Sequence, residues 1–394
     1  MTTSSFSVPG ASSRISYARA RLLLGISGVG ASVLVAASVL LFDLPARLLS
    51  ESAQQSLPAA LGSIALALLV GITAFLPFDL VGGSILVRQR VSLTAYLAAW
   101  VRGAAAQWFV WVACAAALML ASRTFGNVGA VGAFVLLQLA LAASRGRLAQ
   151  LVASQPMVSI PESMRIASQR AKIDPDRLVI LDSPDESFVG GWSGIRADEL
   201  VVPKRWSRLP EQTLVAALFR RRVIAESGAH LRGVLGAVLW NTVGCVLSLA
   251  LTGVSLDNAA GLLTLAAGMT LWAFVGVLVL PTPSRAAVFA IDGAAARKLG
   301  ARAVLDAIDR LDRWQDDEPT RSARVETIFH PVPARAARHE RLTADQSDSR
   351  VRFTHAHQLA RHALWLNWAS LSPLSRAVHC NIGRPALWVM LPGD

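Results

Sequence analysis

Six apolar stretches long enough to cross a bilayer as helices leave this chain few alternatives to a polytopic membrane protein. A ~30 Å hydrocarbon core takes roughly 20 helical residues. The stretches fall at about 22–42, 58–78, 103–121, 128–144, 233–253 and 259–281, the fourth being the shortest. The first is of full span length and lacks a clear small-residue cleavage site, so it reads as a retained helix rather than a signal peptide. Of the 394 residues, 53% are hydrophobic and 16% charged, against about 25% charged in an ordinary soluble domain. That balance excludes disorder.

The bases sort by loop. Arg14, Arg19 and Arg21 precede the first span; Arg88, Arg90 and Arg102 lie between the second and third. Arg145 and Arg147 follow the fourth, Arg232 precedes the fifth and Arg285 follows the sixth. The opposite loops carry Arg47 and Arg123 as their bases, with Asp43, Glu51 and Asp257 as acids. By the positive-inside rule both termini are cytoplasmic, and the chain is expected in the cell membrane. The net charge of +12 then suits anionic lipid head groups. With no nucleic-acid-binding motif in the chain, nucleic acid is not an expected partner. Asp79 is the one acid near a span and sits at its end, which counts against an ion-coupled transporter. Gly25, Gly28, Gly30, Gly233 and Gly236 recur at helical spacing and suit close helix packing. Cys114, Cys245 and Cys380 form neither a disulfide framework nor a CxxC metal pattern.

Between the spans lie two polar blocks. The division expected is a four-helix membrane region at 1–145, a cytoplasmic part at 146–232, a two-helix hairpin at 233–281, a second helical part at 282–342 and a tail at 343–394. In the first block the periodicity predicts a helix over Ser159–Lys172, with Pro161 in its first turn. A strand follows at Arg177–Asp182, then two short strands at Ser187–Trp192 and Glu199–Pro203 joined by a turn at Gly194. A helix is expected from about Pro210 to Ala229, basic in its middle. The second block predicts helices at 284–299 and 301–314, a linker at Gln315–Thr320, and a tail with Trp365, Trp368 and Trp388. The tail is expected on the cytoplasmic part or at the membrane surface.

Four pieces in order resemble the membrane zinc metallopeptidases of the HtpX and CAAX-prenyl-protease type. They are Glu199-Leu200-Val201-Val202-Pro203 with the Lys204-Arg205-Trp206 after it, then Leu209-Pro210-Glu211-Gln212-Thr213-Leu214-Val215-Ala216-Ala217-Leu218. The third is Ser284-Arg285-Ala286-Ala287-Val288-Phe289-Ala290-Ile291-Asp292, similar to SRxxExxAD. The fourth is Phe329-His330-Pro331 followed by Arg338-His339-Glu340-Arg341-Leu342, similar to HP…RxxRL and about two residues longer. The resemblance covers roughly residues 160–342. It implies a mainly α fold: a polytopic membrane protein of six transmembrane helices with a cytoplasmic gluzincin-like α+β metallopeptidase-type domain.

The resemblance also implies zinc, held by two histidines of HExxH and a distant Glu, with the motif's own Glu polarising the bound water. Matching the Leu-x-Ala-x-Leu approach puts Arg220 and Ile224 at the histidines and Arg221 at the Glu; a shift by one puts Phe219, Arg220 and Val223 there. Val288 stands at the distant Glu, and only Asp292, a supporting residue of the pattern, is kept. Arginine has donors and no lone pair to offer a metal. Expected, therefore, are no bound metal and no catalytic residue; either a guanidinium stands in the cation's place paired with Asp292, or all three arginines point to solvent or lipid phosphates. Glu226 and His230, at i and i+4, and His355-x-His357 are weak metal signals beside surface or structural roles. An extended peptide lies beside a strand next to the metal helix in catalytic relatives, which implies a peptide-binding edge at Phe188 and Val201. The reading is a non-catalytic pseudopeptidase that binds protein or lipid partners. An active membrane metallopeptidase with unconventional ligands, and an unrelated structural or transport membrane protein, remain open beside it.

Overall fold

The structure is a computed structural model and describes residues 17–49, 56–86, 92–153, 157–183, 188–315, 320–344 and 355–371. Arg14, Glu51, Arg88, Arg90, Ser187, Pro319, Cys380 and Trp388 lie outside the described residues. The chain runs α1 (Tyr17–Leu41), α2 (Leu44–Leu48), α3 (Leu57–Ala74), α4 (Leu76–Leu80), a π-helical turn at Val81–Ile85 and α5 (Leu93–Ala153). Then come β1 (Met157–Val158), α6 (Glu162–Arg170), β2 (Leu178–Leu181), β3 (Gly191–Ser193), β4 (Glu199–Pro203) and α7 (Glu211–Glu226). The rest is α8 (Ala229–Thr252), α9 (Ala259–Val279), α10 (Pro281–Leu299), α11 (Ala301–Gln315), α12 (Ala323–Phe329), α13 (Arg335–Thr343) and α14 (Leu359–Ser370). These form two compact units, one within Met1–Phe134, Val243–Phe274 and Asn367–Val389, the other within Val135–Thr242, Val275–Leu366 and Met390–Asp394.

Among the described residues, five helices are long and apolar enough to cross a membrane: Arg19–Leu41 within α1, α3, Leu93–Leu148 within α5, α8 and α9. Their outward residues are apolar, with Leu34, Leu66, Phe109, Leu136 and Leu239 all at least 63% exposed. Inward positions carry the polar groups: Ser32, Gln138, Asn241 and Thr270 are buried. A water-soluble chain does the reverse, so this pattern fits an integral membrane protein.

α5 covers two expected spans in one run of 61 residues, broken at Gly126 with φ 66° and ψ −166°. A Cβ on Gly129 would lie 2.9 Å from the Ala121 carbonyl oxygen. Along a straight helix, eight residues would separate these levels by about 12 Å, so the chain folds back at Gly126. Asn127 secures the bend, its Nδ2 donating to the Val254 carbonyl at 2.9 Å and its Oδ1 accepting from the Leu256 N–H at 3.2 Å. Arg123 Nε donates to the Asp257 carbonyl at 2.8 Å. Two loops expected on the same membrane face thus meet.

In the second unit a four-stranded sheet has the order β1-β2-β4-β3, with β2 and β4 parallel and both outer pairs antiparallel. Its core gathers Met164, Ile180, Leu200, Val202, Trp206, Leu214 and Ile291. Pro161 caps α6 from just outside the helix instead of entering its first turn. The helix expected from Pro210 to Ala229 ends at Glu226, because Gly228 takes φ 70° and a new helix starts at Ala229. Glu226 and His230 therefore do not share a helix.

The tail departs furthest from expectation. α14 is buried along its length, with Trp365 and Trp368 at 0% exposure. Asn241 Nδ2 donates to the Ala363 carbonyl at 3.0 Å, and Asn367 Nδ2 to the Met269 carbonyl at 2.8 Å. Trp111 Nε1 donates to the Trp368 carbonyl at 2.7 Å. Asn241, Met269 and Trp111 belong to span-length helices, so this segment is an interior helix and not a surface tail. Its Ala, Leu and Trp content already favours burial; what sequence alone could not show is which neighbours would supply partners for its polar atoms.

The bend at Gly126 gives a direct test. Gly129→Val should lower the thermal midpoint by several degrees, since its side chain meets Phe125 and the Ala121 carbonyl. Gly132→Val, where nothing lies within 4 Å, should leave it nearly unchanged.

Candidate functional site

The site begins with the basic run on α7. Successive helical residues point about 100° apart, so Arg220 and Arg221 leave the helix in different directions although both are buried at 1% exposure. Arg220 turns toward α10, where its Nε donates to Asp292 Oδ1 at 2.7 Å and its Nη2 lies 2.7 Å from the same oxygen. From α13, Arg338 Nε donates to Asp292 Oδ2 at 2.7 Å and its Nη2 to Oδ1 at 3.0 Å. One buried carboxylate thus joins three helices through charge-assisted hydrogen bonds, the Arg338 pair in the bidentate fork that suits guanidinium.

Burial alone would push the Asp292 carboxyl up, but Arg220 and Arg338 outweigh it and hold the group below its ordinary value. Both guanidiniums offer donors and no lone pair, so neither can serve as a metal ligand.

Arg221 turns to the sheet. Its Nη2 lies 3.5 Å from the Val189 and Gly190 carbonyl oxygens, and its guanidinium carbon 5.8 Å from the Trp206 ring centroid. The Arg221 carbonyl accepts from Trp192 Nε1 at 2.6 Å. Arg222 lies outside both arrangements and pairs with Glu226 at 2.7 Å on the helix surface. Ile224 and Val288, each at 1% exposure, are buried apolar side chains on α7 and α10. Neither offers a metal ligand. Thr213 at the start of α7 donates its hydroxyl to Asp306 of α11, which is the main cause lowering the Asp306 carboxyl.

Of the expected peptide-binding edge, Val201 lies on the inner strand β4, paired with Val179 of β2 on one side and Gly191 of β3 on the other. It is not an edge residue, because β3 closes that side of the sheet. Phe188, just before β3, is 5% exposed, and its carbonyl accepts from Arg205. β3 itself is buried at all three residues.

The histidines also separate. His330 and His339 lie on the α12–α13 stretch, His339 beside Asp309 at 2.7 Å. His230, His357 and His362 are buried elsewhere, with the rings of His230 and His362 5.2 Å apart. Among the described residues no group of three or more His, Cys, Asp or Glu is arranged to hold a metal ion.

The sequence places Arg338 in the fourth matched piece without assigning it a partner, though a signal for one existed. On α13 the two buried residues are Arg338 and Leu342, one turn apart, and an arginine on the apolar stripe of an amphipathic helix needs a buried partner. No family model matches the chain, and no curated protein does.

Removing the shared carboxylate should be severe. Asp292→Ala takes the shared carboxylate from two buried guanidiniums and is expected to cost about 3–5 kcal/mol of stability, read from chemical or thermal unfolding. The sign with pH follows from the lowered Asp292 value. Its contribution is complete above the unfolded carboxylate value near 3.8 and is lost as pH falls through the folded one. The difference between parent and variant should therefore persist unchanged from pH 7 to 5 and shrink only in stronger acid.

Proposed function

We propose that the protein is a membrane pseudopeptidase: a non-catalytic relative of the HtpX and CAAX-prenyl-protease type that binds protein or lipid partners without cleaving them. The observation that carries this reading is the Arg220–Asp292–Arg338 cluster. In the family resembled, the helix equivalent to α7 presents HExxH, and a Glu from the helix equivalent to α10 completes the zinc set. Here the corresponding residues are Arg220, Arg221, Ile224 and Val288, which do not fit zinc. The space between α7 and α10 is instead bridged by a guanidinium on Asp292. Closing the site with an ion pair keeps the helices together without a metal and removes the water-activating centre.

The topology proposed is six spans with both termini cytoplasmic. The bend at Gly126 supports counting the two limbs of α5 as separate crossings. The basic residues Arg19, Arg21, Arg102, Arg145, Arg147, Arg232 and Arg285 then fall on one side. Anionic lipids of the inner leaflet of the cell membrane are the natural counter-charge for the +12 excess.

Two measurements test this. Elemental analysis of the purified chain should find zinc far below one per protein, and stoichiometric zinc would overturn the reading. Reporter fusions after Arg147 and after Arg285 should both report the cytoplasmic side; either one on the far side would exclude six spans.

A further inference from the structure

A second buried polar cluster in the same unit takes no part in the ion-paired site. It brings together Arg145 of α5, His230 at the start of α8, His357 just before α14 and His362 on it, each 3% exposed. The segment 355–366 that carries the last two is docked by its backbone. The His357 N–H donates to the Ala229 carbonyl at 3.2 Å, the Ala360 N–H to Ser284 Oγ at 3.1 Å, and Asn241 Nδ2 to the Ala363 carbonyl at 3.0 Å. Arg232 Nε donates to the His355 carbonyl at 3.3 Å. Gly233 lets the His357 carbonyl lie against α8, where a Cβ would collide with it.

One contact in this cluster exists in a single protonation state. Arg145 can only donate, so at the 2.8 Å contact of its Nη1 with His362 Nδ1 the histidine accepts. A proton on that nitrogen sets two donors face to face and puts a second positive charge beside the guanidinium. Trp365, whose ring centroid lies 4.3 Å from the guanidinium carbon, helps to hold Arg145 in place. The His362 ring also meets His230 edge-on, with 5.2 Å between centroids, and His230 Nε2–H is committed to the Gly194 carbonyl at 2.8 Å. The other titratable and charged groups acting there are His357, Arg361 beside Arg145, and Asp198 beside His230. Asp198 is the one acid of this set, and it acts on His230.

We propose that residues 355–366 form an acid-released latch: the segment stays docked on α5, α8 and α10 while His362 is neutral, and a proton on His362 opens it. The sign follows from the surroundings. Burial, with Arg145, His230 and His357 adding to it, holds His362 well below its ordinary value. A histidine kept neutral in this way stabilises the docked state fully above pH about 6.5, and that contribution is lost as pH falls below it. With one proton taken up per opening, each pH unit in that window multiplies the open population about tenfold.

The test is hydrogen–deuterium exchange of the full chain in lipid nanodiscs between pH 7.5 and 5.5. It is read as protection factors, which divide out the pH dependence of the chemical exchange. Protection over residues 355–366 should hold down to about pH 6.5 and fall about tenfold by pH 5.5, while that of α7, which carries no histidine, stays constant. His362→Asn keeps an acceptor at the position of Nδ1 without the titration, and His362→Gln keeps one farther out; in each the fall should vanish. A flat profile in the parent, a loss shared equally by α7, or a fall retained in whichever variant folds would overturn the proposal. Where neither variant folds, the parent profile against α7 decides.

Discussion

One buried carboxylate, Asp292, fixes how α7, α10 and α13 meet. Its environment would be costly without compensation, since an isolated ionised carboxylate cannot be buried cheaply. Arg220 and Arg338 supply four close N···O contacts to its two oxygens. Directionality matters as much as charge here. The Arg338 fork fixes the angle of α13, and Arg220 fixes the rotation of α7, which in turn sends Arg221 toward Val189, Gly190 and Trp206. The contact with Asp292 and the contact with the sheet thus lie on two faces of α7 about 100° apart. An apolar core of similar volume would hold the helices as well but would specify their rotation less sharply.

Much of this was legible in the sequence, for physical reasons. Apolar runs of span length have few other fates, and the strands β2 and β4 are runs of Leu, Val and Ile flanked by turn residues. Arginine at 220 and 221, where the resemblance implies metal ligands, with Asp292 beside it in the pattern, made a guanidinium–carboxylate pair one of two readings of the sequence. It could not say which arginine would pair, because one residue of register on a helix rotates the side chain by about 100°. The pairing of Arg338 with Asp292 was not foreseen because the two lie 46 residues apart and sequence periodicity reports only local faces. Val201 was misplaced because strand order, β4 between β2 and β3, depends on a parallel pairing that no local pattern encodes. The helix break at Gly228 could have been read from the glycine itself, since φ 70° is a conformation that glycine adopts without strain.

The long apolar helices follow a different rule from the part that carries the sheet. Apolar residues face outward and polar side chains inward, so helix contacts rest on close packing and on hydrogen bonds such as Asn241 to Gln138 Oε1 at 3.0 Å. α14 extends that logic to the chain's last described segment, whose tryptophans and histidines are interior. Buried polar groups of this kind are stabilised by the partners they find.

The central proposal is that the Arg220–Asp292–Arg338 cluster holds α7, α10 and α13 together. A double-mutant cycle between Arg220 and Asp292, using Arg220→Met and Asp292→Leu in the full chain, measures it most directly. The account predicts a coupling energy above about 1 kcal/mol, as for residues in direct contact. Additive effects, with coupling below about 0.3 kcal/mol, would contradict it.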